Sequence, residues 1–180
     1  MSSSTVKLHD KEFAVYLQEE EIRQAILSLA FRINQEYAGK TPLFLAVLNG
    51  SFMFAGDLLK EITVPCEISF IKLASYQNTQ STGNVKELVG LNEDVTNRHV
   101  IILEDIVDTG HTVSVLLKKL QTLATTSVEI ACMLLKPACL QHPLEIKYAA
   151  LSIPNDFVVG YGLDYNGLGR NLRHIYKLKS

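Results

Sequence analysis

Apolar residues along this chain fall into widely spaced stretches and short continuous runs. Between residues 10 and 36, Phe13, Leu17, Ile22, Ile26, Leu29 and Ile33 recur at mostly helical intervals, with Glu19 to Glu21 turned to water. That spacing predicts a helix over 10–36, ended by the Gly39–Pro42 stretch. Leu43 to Leu48 is a short apolar run entering Asn49-Gly50, the pattern of a strand that meets a tight turn. A helix is expected at once over Phe52 to Leu59, then a strand within Val64 to Leu73. His99 to Leu103 reads as a buried strand. Thr112 to Leu123 reads as a helix with Val113, Leu116, Leu117 and Leu120 on one side. Glu129 to Leu135 and Phe157 to Val159 are the remaining strand candidates. Strand and helix alternate, and the strands are continuously apolar. This predicts an α/β fold with a mostly parallel central sheet flanked by helices.

One stretch breaks the pattern. From Ser75 to Asn84 the chain is polar and without periodicity, which predicts a long exposed loop or mobile hairpin over about 74–85. Such a loop serves equally as an active-site lid or as an ordinary surface connection.

Composition narrows the class. The 180 residues are 47% hydrophobic and 20% charged, with a net charge of -2, which suits one compact domain over 1–180 and excludes bulk disorder. No apolar stretch approaches the roughly 20 residues that cross a bilayer, so no membrane partner is expected. Met1-Ser-Ser-Ser-Thr lacks the basic and apolar regions of a secretory signal. Cys66, Cys132 and Cys139 form no close pair for metal or redox work, in keeping with a reduced, cytoplasmic setting. Seventeen basic against nineteen acidic residues, and a pI near 6.2, argue against a nucleic-acid partner. A small phosphorylated ligand needs no such excess, because backbone N–H groups and a metal ion can hold it.

The chemistry concentrates in Val100 to Thr112, Val-Ile-Ile-Leu-Glu-Asp-Ile-Val-Asp-Thr-Gly-His-Thr. An apolar strand delivers Glu104 and Asp105 to its carboxyl end, and a loop with Asp108, Thr109, Gly110 and Thr112 opens a helix. Ligands bind at such strand ends in parallel sheets. First-turn N–H groups can hold a phosphate, and Gly110 allows an anion to approach closely. Glu104 and Asp105 offer the oxygen ligands that Mg2+ prefers. A capped, solvated acidic turn would explain Asp108 and Thr109 but not two further carboxylates ending so apolar a strand. The segment is neither a Walker loop nor a dinucleotide fingerprint.

Glu104-Asp105-Ile-Val-Asp108-Thr109-Gly110-His111-Thr112 resembles the phosphoribosyl-pyrophosphate motif of type I phosphoribosyltransferases. Leu48-Asn49-Gly50-Ser51-Phe52-Met53-Phe54 resembles their pyrophosphate loop. Ser75-Tyr76 with Ser81-Thr82-Gly83 resembles their flexible catalytic loop. Phe157 to Asn166, followed by Arg170, resembles their purine-side segment. Together these are similar to the hypoxanthine-guanine phosphoribosyltransferase family over about residues 10–178.

The resemblance implies the type I phosphoribosyltransferase fold with a small hood built from both termini. It implies a reversible transfer, in which a 6-oxopurine displaces pyrophosphate from C1 of phosphoribosyl pyrophosphate, with Mg2+. Glu104 and Asp105 would lie beside the ribose hydroxyls and position magnesium. Asp108 would be the proton carrier at purine N7. Asp108 through Thr112 would cradle the 5'-phosphate, with the His111 side chain in solvent and without a base role. Lys136 would donate to the 6-oxo group, although its place at a strand end also suits a surface lysine. Phe157 would stack on the base, Val158 would contact its edge, Asp164 would ligate magnesium, and Arg170 would reach pyrophosphate. Ser75 and Tyr76 would close over the site. Tyr165 stays open between packing and site.

Asn49 is a departure, since many relatives carry Lys before this Gly. The loop amides of Asn49 and Gly50 would still bind pyrophosphate, and Leu48-Asn49 is where the family's cis peptide would fall. A homo-dimer or homo-tetramer is implied, with the apolar helix of Phe52, Met53, Phe54, Leu58 and Leu59 as interface or core. Two other classes compete. One is a nucleic-acid-binding regulator of the same fold, which the acidic pI, Lys136 and Phe157 disfavour. The other is a metal phosphatase, for which no nucleophile carboxylate set is found.

Overall fold

The structure, a computed structural model, describes residues 4–75, 85–91 and 93–179. A hairpin, β1 (Thr5–Leu8) and β2 (Lys11–Leu17), leads into helix α1 (Glu19–Glu36). Then follow β3 (Leu43–Leu48), α2 (Phe52–Glu61), β4 (Glu67–Ser75), β5 (Val85–Val89), β6 (His99–Val107) and α3 (His111–Gln121). The chain ends with β7 (Ser127–Leu135), a 3-10 turn at Pro137–Cys139, β8 (Tyr148–Ser152), β9 (Val158–Val159) and β10 (Ile175–Leu178).

Six strands form the central sheet in the order β5-β4-β3-β6-β7-β8. All neighbours are parallel except the edge pair β4 and β5. Strand side chains alternate between two layers. Phe44, Ala46, Ile101, Leu103, Ala131 and Met133 pack with α1 and α2. Leu45, Val47, Val100, Ile102, Ile130 and Cys132 pack with Val113, Leu116 and Leu120 of α3. A second, antiparallel sheet, β1-β2-β10-β9, joins the two ends of the chain around Phe13, Val159 and Tyr176. This is the expected doubly covered sheet with a small hood.

The expected helix over 10–36 is corrected at its start. Lys11–Leu17 is a strand, and the helix begins at Glu19. Phe13, Val15 and Leu17 also satisfy a period of two, and pairing with β1 and β10 selects that period. The Glu21 carboxylate accepts the Gln18 N–H at 2.8 Å, which sets the helix start. β8 and β10 carry no clear signal of their own. Tyr-Ala-Ala-Leu-Ser is weakly strand-forming, and its place comes from parallel pairing with β7. No helix among the described residues is long and apolar enough to cross a membrane.

The end of the sheet away from the strand carboxyl termini is held by a polar clasp. Glu36, at the end of α1, accepts from Lys147 and from the Tyr148 hydroxyl, and Lys147 also meets Glu129 at 3.4 Å. Burial pushes the Glu36 carboxyl up, but the bonds from Lys147 and Tyr148, with the lysine's charge, outweigh it and hold it below the ordinary 4.5. A carboxyl depressed on folding adds stability above its unfolded value and loses it as pH falls through its folded value. Glu36→Gln is expected to cost about 1 kcal/mol at pH 7, the size of a partly screened charged hydrogen bond. The deficit should shrink steadily below about pH 4.5, the carboxyl's unperturbed value. Urea unfolding at several pH values measures both.

Candidate active site

β6 carries its apolar run to Leu103 and then presents two carboxylates to opposite layers. Glu104 continues the α3 face of Val100 and Ile102, and is buried. Burial, with Asp105 beside it, pushes its carboxyl well above the usual range. Asp105 continues the α2 face. Burial raises it to about 6, against the 2.8 Å hydrogen bond from the Ile106 N–H and the charge of Arg170. The two carboxylates therefore do not converge as one bidentate pair.

Asp105 rests directly on Gly50. A Cβ at Gly50 would fall 1.5 Å from Asp105 Oδ2, so only glycine fits. The turn after β3 is thus pressed against the end of β6. Its Leu48-Asn49 peptide is cis, at the bond expected. Ser51 is buried and donates to the Val47 carbonyl at 2.6 Å, which anchors the start of α2. Asn49 is exposed on the rim. From the other side Gly162 closes on the same turn: at φ +97°, its Cβ would lie 2.1 Å from the Gly50 carbonyl oxygen. Gly162 also accepts from Arg170 Nη1 at 2.6 Å, and Arg170 Nη2 pairs with Asp164 at 2.5 Å. Asp164 Oδ2 takes the Gly167 N–H at 2.7 Å. Asp105, Gly50, Gly162, Arg170 and Asp164 form one contiguous stack.

A second group lies at the ends of β6 and β7. The loop Asp108–Gly110 turns into α3 with Gly110 at φ +80°, packed under Leu144 and Leu140. Gln141 N–H bonds the Thr109 carbonyl at 3.0 Å, and the Ser114 N–H closes the first turn on Gly110 at 2.9 Å. The loop is therefore braced from beneath, with Thr109 and Thr112 half-buried and the His111 side chain exposed as expected. Lys136, the last residue before the 3-10 turn, is not a surface lysine. Its side chain is 8% exposed, and its ammonium donates to Asp108 Oδ2 at 2.8 Å, with Asn155 Oδ1 at 3.5 Å. Parallel pairing of β6 with β7 brings these two residues together across 28 positions.

The third group is aromatic. Phe157 leaves 45% of its surface open beside β9, where a buried core ring would leave almost none. Tyr165 meets it edge-on at 5.9 Å, and Lys11 of β2 stands 5.6 Å over it. Val158 is buried and paired with Lys177.

Ser75 ends β4, but Tyr76 and the rest of the expected loop through Asn84 lie outside the described residues. Among the described residues no group of three or more His, Cys, Asp or Glu is gathered to hold a metal. The donors present suit an oxygen-seeking ion held partly by substrate and water: Asp105 and Asp164 both sense Arg170, while Glu104 faces the other layer. Two members of the site were given no role from the sequence, Gly162, which lies within the Phe157–Asn166 segment, and Cys139. Burial, then the Asp108 charge and a hydrogen bond to Asp108, push the Cys139 thiol up, so it is no thiolate nucleophile. Gly162 was visible in principle as one of two glycines around Tyr161; Cys139 carried no local signal.

The family model for the phosphoribosyl transferase domain matches residues 14–166. A hypoxanthine-guanine phosphoribosyltransferase of Staphylococcus aureus is 39% identical over 96% of this chain and 97% of its own length. A crystal structure of a hypoxanthine phosphoribosyltransferase from that organism superposes with a TM-score of 0.87 at 40% identity, covering 92% of this chain and 90% of the other. The Trypanosoma cruzi hypoxanthine phosphoribosyltransferase in complex with the product IMP gives 0.88 at 35% identity, over 97% of both chains. By these matches over nearly its whole length, the chain belongs to the hypoxanthine-guanine phosphoribosyltransferase family of type I phosphoribosyltransferases.

Proposed function

We propose that the three groups divide one reaction among them: a 6-oxopurine and phosphoribosyl pyrophosphate give the nucleoside 5'-monophosphate and pyrophosphate. The observation that carries this is the stack of Asp105, Gly50 and Gly162 beside the Asp164–Arg170 pair. It sets a carboxylate, a backbone turn and a guanidinium side by side, as a sugar with a diphosphate leaving group needs. Asp105 lies where an electron-poor ribose is favoured by negative charge. Gly50 and Asn49 offer backbone N–H groups to pyrophosphate, and Arg170 supplies the fixed positive charge absent at Asn49. The braced Asp108–Thr112 loop presents first-turn amides to the 5'-phosphate.

Asp108 takes the proton from the purine as its nitrogen bonds to C1. Lys136 holds Asp108 from below. With substrate bound, its remaining N–H groups turn to the 6-oxo group, which accepts, whereas a 6-amino group would oppose a second donor. The open face of Phe157 stacks on the base. Magnesium belongs to the same proposal: Asp105 and Asp164, with water and substrate oxygens, would hold it, and it would supply positive charge to the leaving pyrophosphate. We place the enzyme in the cytoplasm as a homo-dimer or homo-tetramer. Phe54 and Leu58 of α2 are spent in the core, while Phe52 is exposed and Met53 partly so, which leaves one apolar edge of α2 for a neighbouring copy.

Pyrophosphate release with phosphoribosyl pyrophosphate, magnesium and each of hypoxanthine, guanine, xanthine and adenine tests the reading. Turnover is expected with at least one 6-oxopurine, not with adenine, and should stop on chelation and return with magnesium. Silence with every purine would overturn it. Asp108→Ala is expected to lower kcat by roughly 10²–10⁴ at little cost in KM for phosphoribosyl pyrophosphate. A loss below tenfold would move the proton carrier elsewhere.

A further inference from the structure

The turn between β1 and β2 reaches across the hood to the segment that bears Asp164 and Arg170. Four consecutive residues touch it. Leu8 Cδ1 fills the space beside Gly169, where a Cβ would lie 2.8 Å away and the backbone stands at φ +104°. His9, itself at φ 51°, brings Nε2 to 3.2 Å from the Asn166 carbonyl. Asp10 Oδ1 accepts the Tyr165 hydroxyl at 2.8 Å. Lys11 Nζ sits 4.7 Å over the Tyr165 ring. These contacts join positions more than 150 residues apart, so they are tertiary and not a local turn habit.

The segment they grip is short and conformationally demanding. Asn166 at φ 47° and Gly167 at φ 86° turn the chain between Tyr165 and Leu168, which bond each other's backbones at 2.9 and 3.1 Å. Asp164, one residue before Tyr165, takes its hydrogen bond from the Gly167 N–H inside this same turn. Asn-Gly suits such a turn, which closes on its own backbone bonds. The β1–β2 turn adds contacts from outside that fix where this closed turn stands against the hood.

We propose that Tyr165, tethered through its hydroxyl by Asp10, is a positioning residue: it holds the turn that aims Asp164 and Arg170 at the pyrophosphate end of the substrate. The inference rests on the pyrophosphate role given above to Asp164 and Arg170. It answers why Tyr165 is neither buried core nor free surface. Its ring touches Phe13 and Phe157 on the hood side, and its hydroxyl crosses to another element. The tether also suits a charged acceptor, since the Tyr165 bond holds the Asp10 carboxyl below its usual range.

Two full-length variants test this, Tyr165→Phe and Asp10→Asn. The first keeps the ring contacts and removes only the donor. Each is expected to raise the KM for phosphoribosyl pyrophosphate about fivefold and to weaken magnesium pyrophosphate binding by a similar factor in calorimetry. The kcat and the KM for the purine should stay within twofold. The double variant should be no worse than either single, because both remove one bond. Unchanged pyrophosphate affinity in both singles, or losses shared equally by kcat and the purine KM, would overturn the proposal. An inactive parent protein would defeat the reading of the reaction instead, and the pyrophosphate titration would then decide the tether alone.

Discussion

Everything at this site hangs on one close contact, the Asp105 carboxylate against the backbone of Gly50. A side chain at position 50 would occupy the same space as the carboxylate oxygen. The ends of β3 and β6 are adjacent because the strands pair in parallel, Leu43 with Val100 through Ala46 with Leu103. Continuing that register brings the turn after β3 alongside the carboxylates that end β6. The parallel ladder thus aligns the elements to within a residue, and the missing side chain lets them touch. Gly162 repeats the device from the third direction, so two glycines in sequence-distant segments make one tight joint.

Burial at this joint has an electrostatic consequence. Asp105 is raised to about 6, and Glu104 well above its usual range, because burial strips the water that would favour their charged forms. A carboxylate buried as Asp105 is favours positive charge beside it, which suits both a metal ion and a sugar losing its leaving group. Arg170 offsets part of this, and is itself shared with Asp164 and the Gly162 carbonyl. The net charge of -2 is consistent with such an economy of cations. Lys136 follows a different rule: it is buried and paired with Asp108, so its ammonium is desolvated only where a carboxylate meets it.

The central sheet and most of the site were legible in the sequence because their signals are local. Leu43–Leu48 matches β3 to the residue, since a continuous apolar run between a proline and Asn-Gly has one reading. The strand ending in Glu104 and Asp105 announces itself for the same reason: carboxylates beside such apolar residues are costly and need a purpose. Less of the hood was legible. β9 was expected within Phe157 to Val159, but β1 and β10 are short, and β2 shares its apolar positions with a helical template, so pairing between the two chain ends decided the matter. The opposite orientations of Glu104 and Asp105 do follow from strand alternation, but motif spacing treats neighbours as partners and hides it.

That asymmetry between sheet and hood bears on function. The sheet holds Asp105 within β6, and Asp108 and Lys136 one residue beyond β6 and β7, where the paired strand ends set their places. Asp164, Arg170 and Phe157 hang on short strands and on contacts between the termini, where each bond is a larger share of what holds the element. A binding segment secured by a few exposed polar contacts, such as Tyr165 on Asp10, can be moved without unfolding the core. On the reading proposed above, Phe157, Asp164 and Arg170 sit on the more adjustable mounting, and Asp105, Asp108 and Lys136 on the more rigid one. Reactants that enter and leave at each turnover need the first kind of mounting; a reacting carbon that must not shift between them needs the second.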